Sequence, residues 1–308
     1  MTGTDRGWTH EYESKPMGSP ARVFTALTDP GELRRWFAEH VEIDAHEGGA
    51  FRFWGRHSYG APDPSTAHQR ITRFERDRAL GFSWRFEGAD SEVTVELEPT
   101  APDGEATRTR LALRHAFPAP LDIPYGAELV DDLWRLTLGN LDAHLRGGDG
   151  IVLPDYTDPT PEIRMSIVID APRERVFRAL IEPAALDRWI ASGAEVDPKV
   201  GGRYRYGWRY PVGERQVEGG PTRILDLVEN ERLVTDWVDW RGDETRAPTR
   251  VAWLLESVGP KTRVTVIHGD FSRVADQSDY PFGWRSFLER LKAAIDSPER
   301  LKAASENS

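Results

Sequence analysis

Val23-Phe24-Thr25-Ala26-Leu27 returns 153 residues later as Val176-Phe177-Arg178-Ala179-Leu180. The same displacement carries Pro30 to Pro183, Leu33 to Leu186 and Trp36 to Trp189. It carries Gly48-Gly49 to Gly201-Gly202, and Phe51 and Phe53 to Tyr204 and Tyr206. Further on, Ile71, Leu80, Trp84 and His115 meet Ile224, Leu233, Trp237 and His268. Only the last helix slips, with Trp134 meeting Trp284 at a displacement of 150. Solenoid units are far shorter, roughly 20–45 residues, so this repeat is a whole domain copied once.

The boundary falls at Gly147-Gly148-Asp149-Gly150, followed by a segment with Pro154, Pro159 and Pro161. Glycine ends a helix and the prolines block regular structure, which predicts repeats over 1–148 and 162–308 with a linker over 149–161. A chain of 308 residues supports two cores of about 150 residues each.

The second copy reads most clearly. Ile163 to Ile169 is β-rich; Asp170-Ala171-Pro172 then opens a helix, with Asp170 as the expected cap. Pro183 starts a second short helix. Gly202 to Trp208 alternates aromatics and arginines, which predicts one strand, and four more strands follow to His268. Near Pro281 a long helix begins, with Trp284, Phe287, Leu288, Leu291 and Ile295 as its apolar stripe. The reading is α+β, twice: a curved antiparallel sheet wrapped on a long C-terminal helix, with two short helices after the first strand.

Composition narrows the function classes. The chain carries 40 Lys+Arg against 51 Asp+Glu, a net charge of −11, which argues against a phosphate-binding surface and hence against nucleic acid. With no cysteine, disulfides, thiolate nucleophiles and Cys-ligated metals are excluded. No apolar run approaches a membrane span and no signal pattern opens the chain, so a cytoplasmic protein is expected. The content of 22 Pro and 27 Gly against 3 Met suggests a high-GC bacterial source.

Ala171-Pro172 through Val176-Phe177, with Ala179-Leu180, Pro183, Leu186 and Trp189, resembles the opening of domains related to the Aha1 activator of the Hsp90 ATPase. Those domains belong to the START-like (SRPBCC, Bet v 1-like) superfamily with a helix-grip fold. Gly201-Gly202-Arg203-Tyr204-Arg205-Tyr206, His268-Gly269-Asp270-Phe271 and Gly283-Trp284 with Phe287-Leu288 are similar to its other signatures. The first copy departs at Arg114-His115-Ala116-Phe117, which lacks the glycine, and at the entry of its last helix. The resemblance implies a cavity for a hydrophobic small molecule. In some members it implies cyclase, aromatase or hydrolytic chemistry, or resistance to a toxic natural product.

Candidate site residues follow from residue type and strand face. Tyr204, Tyr206, Trp208, Trp237, Trp284 and Phe287 in the second copy, and Phe53, Trp84 and Trp134 in the first, are candidate pocket walls, because ligand cavities are aromatic-lined. His115 and His268 end matching strands on the inward face. Each is either a cavity acid–base group or a structural histidine bonding to backbone where the last strand meets the final loop. Asp239 shares a strand face with Trp237; it is either a carboxylate with a raised pKa or a strand-end turn residue. His40 and His46 lack metal-site spacing, no Gly-x-Ser-x-Gly elbow or phosphate loop occurs, and no metal or cofactor is expected.

The leading expectation is binding of a hydrophobic, aromatic small molecule, with the functional pocket in the second copy and a role in bacterial secondary metabolism or resistance. The alternatives are a cyclase, dehydratase or hydrolase acting on a polyketide-like substrate, with His268 and Asp239 as catalytic candidates, or an Hsp90-type co-chaperone. Docking of the repeats on each other is left open.

Overall fold

The computed structural model describes residues 7–100, 107–243 and 245–296. The first repeat runs β1 (Trp8–Ser14), α1 (Pro20–Thr28), α2 (Pro30–Trp36), β2 (His40–Ile43), β3 (Phe51–Trp54), β4 (Arg70–Glu75), β5 (Ala79–Phe86), β6 (Ala89–Pro99), β7 (Thr109–Phe117) and α3 (Gly126–Leu145). The second runs β8 (Ile163–Ile169), α4 (Arg173–Ile181), α5 (Pro183–Leu186), β9 (Glu195–Val196), β10 (Tyr204–Arg205), β11 (Arg209–Val212) and β12 (Arg215–Glu218). It continues with β13 (Ile224–Val228), β14 (Arg232–Trp237), β15 (Thr249–Val258), β16 (Lys261–Gly269) and α6 (Tyr280–Asp296).

Each repeat has a five-stranded antiparallel sheet, in the order β1-β7-β6-β5-β4 and, in mirror listing, β13-β14-β15-β16-β8. Isolated bridges extend both sheets: Ala50 to Arg70 brings the β2–β3 pair alongside β4, and Arg203 to Arg223 does the same for β9–β10. The inward face of β7 is Thr109, Leu111, Leu113, His115 and Phe117, all buried, and the buried residues of α3 join the same core. In the second repeat β16 and α6 do likewise. This is the helix-grip fold, twice. The described residues form two compact units, one within 7–159 together with 273–279 and the other within 160–272 together with 280–296.

The copied residues make copied bonds. Trp36 Nε1 donates to Ala26 O and Trp189 Nε1 to Ala179 O, both at 3.0 Å, tying each second short helix to the first. Thr109 Oγ1 donates to Gly18 O and Thr262 Oγ1 to Ala171 O, closing the loop after each first strand. The doubled glycine has a steric cause. A Cβ on Gly49 would stand 2.0 Å from Asp44 O, and one on Gly202 2.1 Å from Asp197 O. Both backbones pass too close to a carbonyl for any side chain.

Three local readings differ from the structure. Asp170 does not cap α4; it pairs with Lys261 at 3.1 Å, and the cap position is Pro172. The strand expected over Gly202 to Trp208 breaks at Gly207, which has φ +71° and lies against the Ser192 carbonyl. Beyond that break, β11 pairs with β12 as a separate hairpin. Residues 151–156, inside the expected linker, are packed on the first repeat. Val152 exchanges two 2.8 Å hydrogen bonds with the Asn140 amide, and Ile151 and Tyr156 rest on the first core.

Gly202→Ala and Gly49→Ala should each destabilise their repeat by about 1–3 kcal/mol, the usual cost of forced overpacking. Urea denaturation measures this, and an unchanged midpoint would contradict the steric assignment.

Candidate functional site

The two histidines sit in equivalent hydrogen-bonded chains, one within each repeat. Trp134 Nε1 donates to His115 Nδ1 at 3.2 Å, and His115 Nε2 bonds Ser91 Oγ at 2.8 Å. Ser91 Oγ in turn donates to Trp84 O at 2.7 Å. In the second repeat Trp284 Nε1 donates to His268 Nδ1 at 3.1 Å, and His268 Nε2 bonds Thr249 Oγ1 at 2.8 Å. Thr249 Oγ1 reaches Trp237 O at 3.3 Å.

An indole N–H only donates, so Nδ1 is the acceptor and the proton lies on Nε2, which donates to the hydroxyl. Both rings are fully buried. Burial pushes His115 and His268 down to about 3, with His10 adding to the effect at His115. A neutral ring whose nitrogens are both engaged has no lone pair for a substrate proton. Both partners of each ring are side chains, an indole and a hydroxyl, rather than the backbone groups expected for a structural histidine.

Asp239 behaves as the turn residue. Its Oδ1 accepts from the Arg241 backbone N–H at 2.8 Å, and Oδ2 faces Arg241 at 3.2 Å and Arg246 at 3.7 Å. Its bonds and those of His268 thus run to different partners. The aromatic candidates of the second repeat do converge, but on one another. Tyr204 donates to Leu180 O and packs against Tyr206, which meets Trp208 and Trp237. Trp208 donates to Ile190 O at 2.8 Å and stacks on Phe287 at 5.6 Å. Trp284 touches Trp237, Phe287 and His268.

The sequence reading expects the functional pocket in the second copy; a small cavity is present in the first. Its volume is about 20 Å³, room for about one water molecule. The candidates Phe53, Trp84 and Trp134 form part of its wall, together with Trp36, Phe37 and Leu133. At the repeat displacements the reason is visible. Gly55 stands where the second copy has Trp208, and Thr137 where it has Phe287. The stacked pair that fills the second core is therefore missing from the first.

The rest of the wall was not anticipated. It comes from His57, Ser58 and Tyr59 in the loop after β3, and from Leu136, Thr137, Asn140, Pro154 and Tyr156. Gly55 makes this loop possible: at φ +108° it lies so close to Glu39 that a Cβ would approach within 2.7 Å. Ser58 has its backbone N–H on Gly55 O and its carbonyl on Ala61 N–H. Its hydroxyl is buried without a hydrogen-bond partner, which costs about 1–3 kcal/mol. Tyr59 donates to the Glu87 carboxylate and stacks on Phe86 at 5.0 Å. Burial, with Glu87 beside it, raises its phenol pKa. The cavity thus combines an apolar wall with a few polar groups, of which Ser58 is unsatisfied.

A duplicated helix-grip chain with an aromatic-walled cavity is the class defined by fold and site. The model for the family described as activator of Hsp90 ATPase homolog 1-like protein matches residues 18–146 and again 170–296, and the chain belongs to that family. Among solved structures it is similar to DynU16, from the dynemicin biosynthetic locus: 18% identity, 93% of this chain, 98% of that one, TM-score 0.40. It is similar to the di-domain ARO/CYC BexL from the BE-7585A biosynthetic pathway: 14% identity, 94% and 99% coverage, TM-score 0.34. CalU16 from Micromonospora echinospora is 28% identical over 46% of this chain and 78% of its own, with TM-score 0.35. No curated protein matches. Among the described residues no helix is long and apolar enough to cross a membrane.

The histidines make stability acid-sensitive. Between pH 6.5 and about 3 the unfolded chain protonates each ring and the folded chain does not, so stability falls as pH falls. Each contributes a slope of about 1.4 kcal/mol per pH unit in that window. His268→Gln should flatten the dependence by about that amount between pH 6 and 5 in urea melts. An unchanged slope would show that the ring is already protonated or exposed in the fold.

Proposed function

We propose that the first repeat binds a hydrophobic, aromatic small molecule between α3 and the sheet. The observation that carries this reading is the cavity itself: Trp36, Phe37, Phe53, Trp84 and Trp134 surround it, and Ser58, whose hydroxyl has no partner, is among its lining residues. Apolar walls favour an apolar guest, and one unmet polar group fixes its orientation. As it stands the space is too small. An apolar cavity that takes benzene is on the order of 150 Å³, so uptake requires a wall to move. The second repeat has the role of a packed partner, its corresponding space being taken by Trp208 on Phe287.

Nothing in the histidine chains supports proton transfer, so binding is favoured over turnover. A place in secondary metabolism or resistance, and a cytoplasmic bacterial setting, remain part of this proposal.

Thr137→Phe, which installs the second copy's residue in the first, tests the site. 2-Naphthol should bind the wild-type chain with one site per chain by calorimetry, and Thr137→Phe should weaken it at least tenfold. Full affinity in that variant would place the binding elsewhere.

A further inference from the structure

The chain after α3 folds back over the cavity it has just helped to build. Asn140, on α3, holds Val152 from both sides: its Nδ2 donates to Val152 O and its Oδ1 accepts from Val152 N–H, each at 2.8 Å. His57 Nδ1 donates to Pro154 O at 2.6 Å, and Tyr156 N–H donates to Arg56 O at 2.8 Å. Pro154 is buried and Tyr156 half-buried, and both line the cavity. The Tyr156 ring stands perpendicular to Tyr59, 5.3 Å away.

These are few and separable attachments. Each of the four polar bonds can be replaced by water when the segment lifts, and the strap belongs to no sheet. Lifting it would remove two wall residues, a proline and a phenol, from a space now too small for a ring. The second repeat shows what fills the equivalent place when it is filled permanently: an aromatic ring, Trp208, contributed by the chain itself. Ser58 Oγ, buried and unpartnered, supplies a hydrogen bond that neither Pro154 nor Tyr156 meets.

We propose that residues 151–157 are a removable plug, Tyr156 keeping the place of a ligand ring, and that the ligand is a flat aromatic molecule carrying a hydroxyl read by Ser58. This rests on the binding reading above and adds to it the gate and the polar contact. When the plug is closed, only the fraction of molecules that have opened can bind, so apparent affinity is lowered by that fraction.

The test uses the full chain with 2-naphthol and naphthalene as probes. Tyr156→Ala and Asn140→Ala loosen the plug at different points, and each should tighten 2-naphthol binding about tenfold. Wild type should prefer 2-naphthol over naphthalene by about fivefold beyond their difference in solubility, the effect of one hydrogen bond, and Ser58→Ala should remove that preference. Saturating 2-naphthol should also speed hydrogen exchange at the Val152 and Tyr156 amides while the β5–β6–β7 amides stay protected. Wild-type binding with unchanged affinity in both loosened variants, or with both amides still protected, would overturn the plug and leave the binding site standing. An unchanged preference in Ser58→Ala would overturn the hydroxyl assignment. No binding by wild type or either loosened variant would overturn the binding reading and the plug with it.

Discussion

The buried hydrogen bond from a helix tryptophan to a strand histidine is the contact on which each repeat depends. Trp134 on α3 and Trp284 on α6 are the points where the long helix is fixed to the sheet, and His115 and His268 are their acceptors. A buried indole N–H without an acceptor is costly, and so is a buried imidazole without partners. Each satisfies the other, and a hydroxyl oxygen on the neighbouring strand accepts a hydrogen bond from the remaining imidazole N–H. That hydroxyl is Ser91 in one copy and Thr249 in the other, which shows that the bond matters more than the residue supplying it. The helix position and the ring tautomer are set together.

With the helix pinned at one height in both copies, the residue three positions further along faces the same place. In the second copy that residue is Phe287, on which Trp208 stacks, while in the first it is Thr137. At two positions, Gly55 against Trp208 and Thr137 against Phe287, the copies therefore differ beside the same pinned helix. Covering the first copy's space falls to the segment after the helix, through Pro154 and Tyr156.

Much of the fold was legible because its signals are periodic or doubled. The displacement of 153 fixed the domain count, and the inward alternation ending at His115 and His268 located the strand that carries the histidine chain. The glycine pair was legible as a motif, but its cause, a carbonyl about 2 Å from an imagined Cβ, needs coordinates. The cavity was much less legible. The second copy was favoured because it keeps more of the family's signatures, yet its aromatic residues pack ring on ring. A cavity is marked by the residues that are small, and Thr137 in an otherwise apolar helix stripe was the available signal. Ser58 and Tyr156 lie in a loop and an expected linker, where neither periodicity nor the repeat gives guidance.

The chain's 11 tryptophans offer a direct view of which copy admits a ligand. In a nitrogen-15 spectrum of the full chain titrated with 2-naphthol, the indole signals of Trp36, Trp84 and Trp134 are expected to shift together. Those of Trp208, Trp237 and Trp284 are expected to stay in place. Movement confined to the second set would contradict the assignment of the open site to the first repeat.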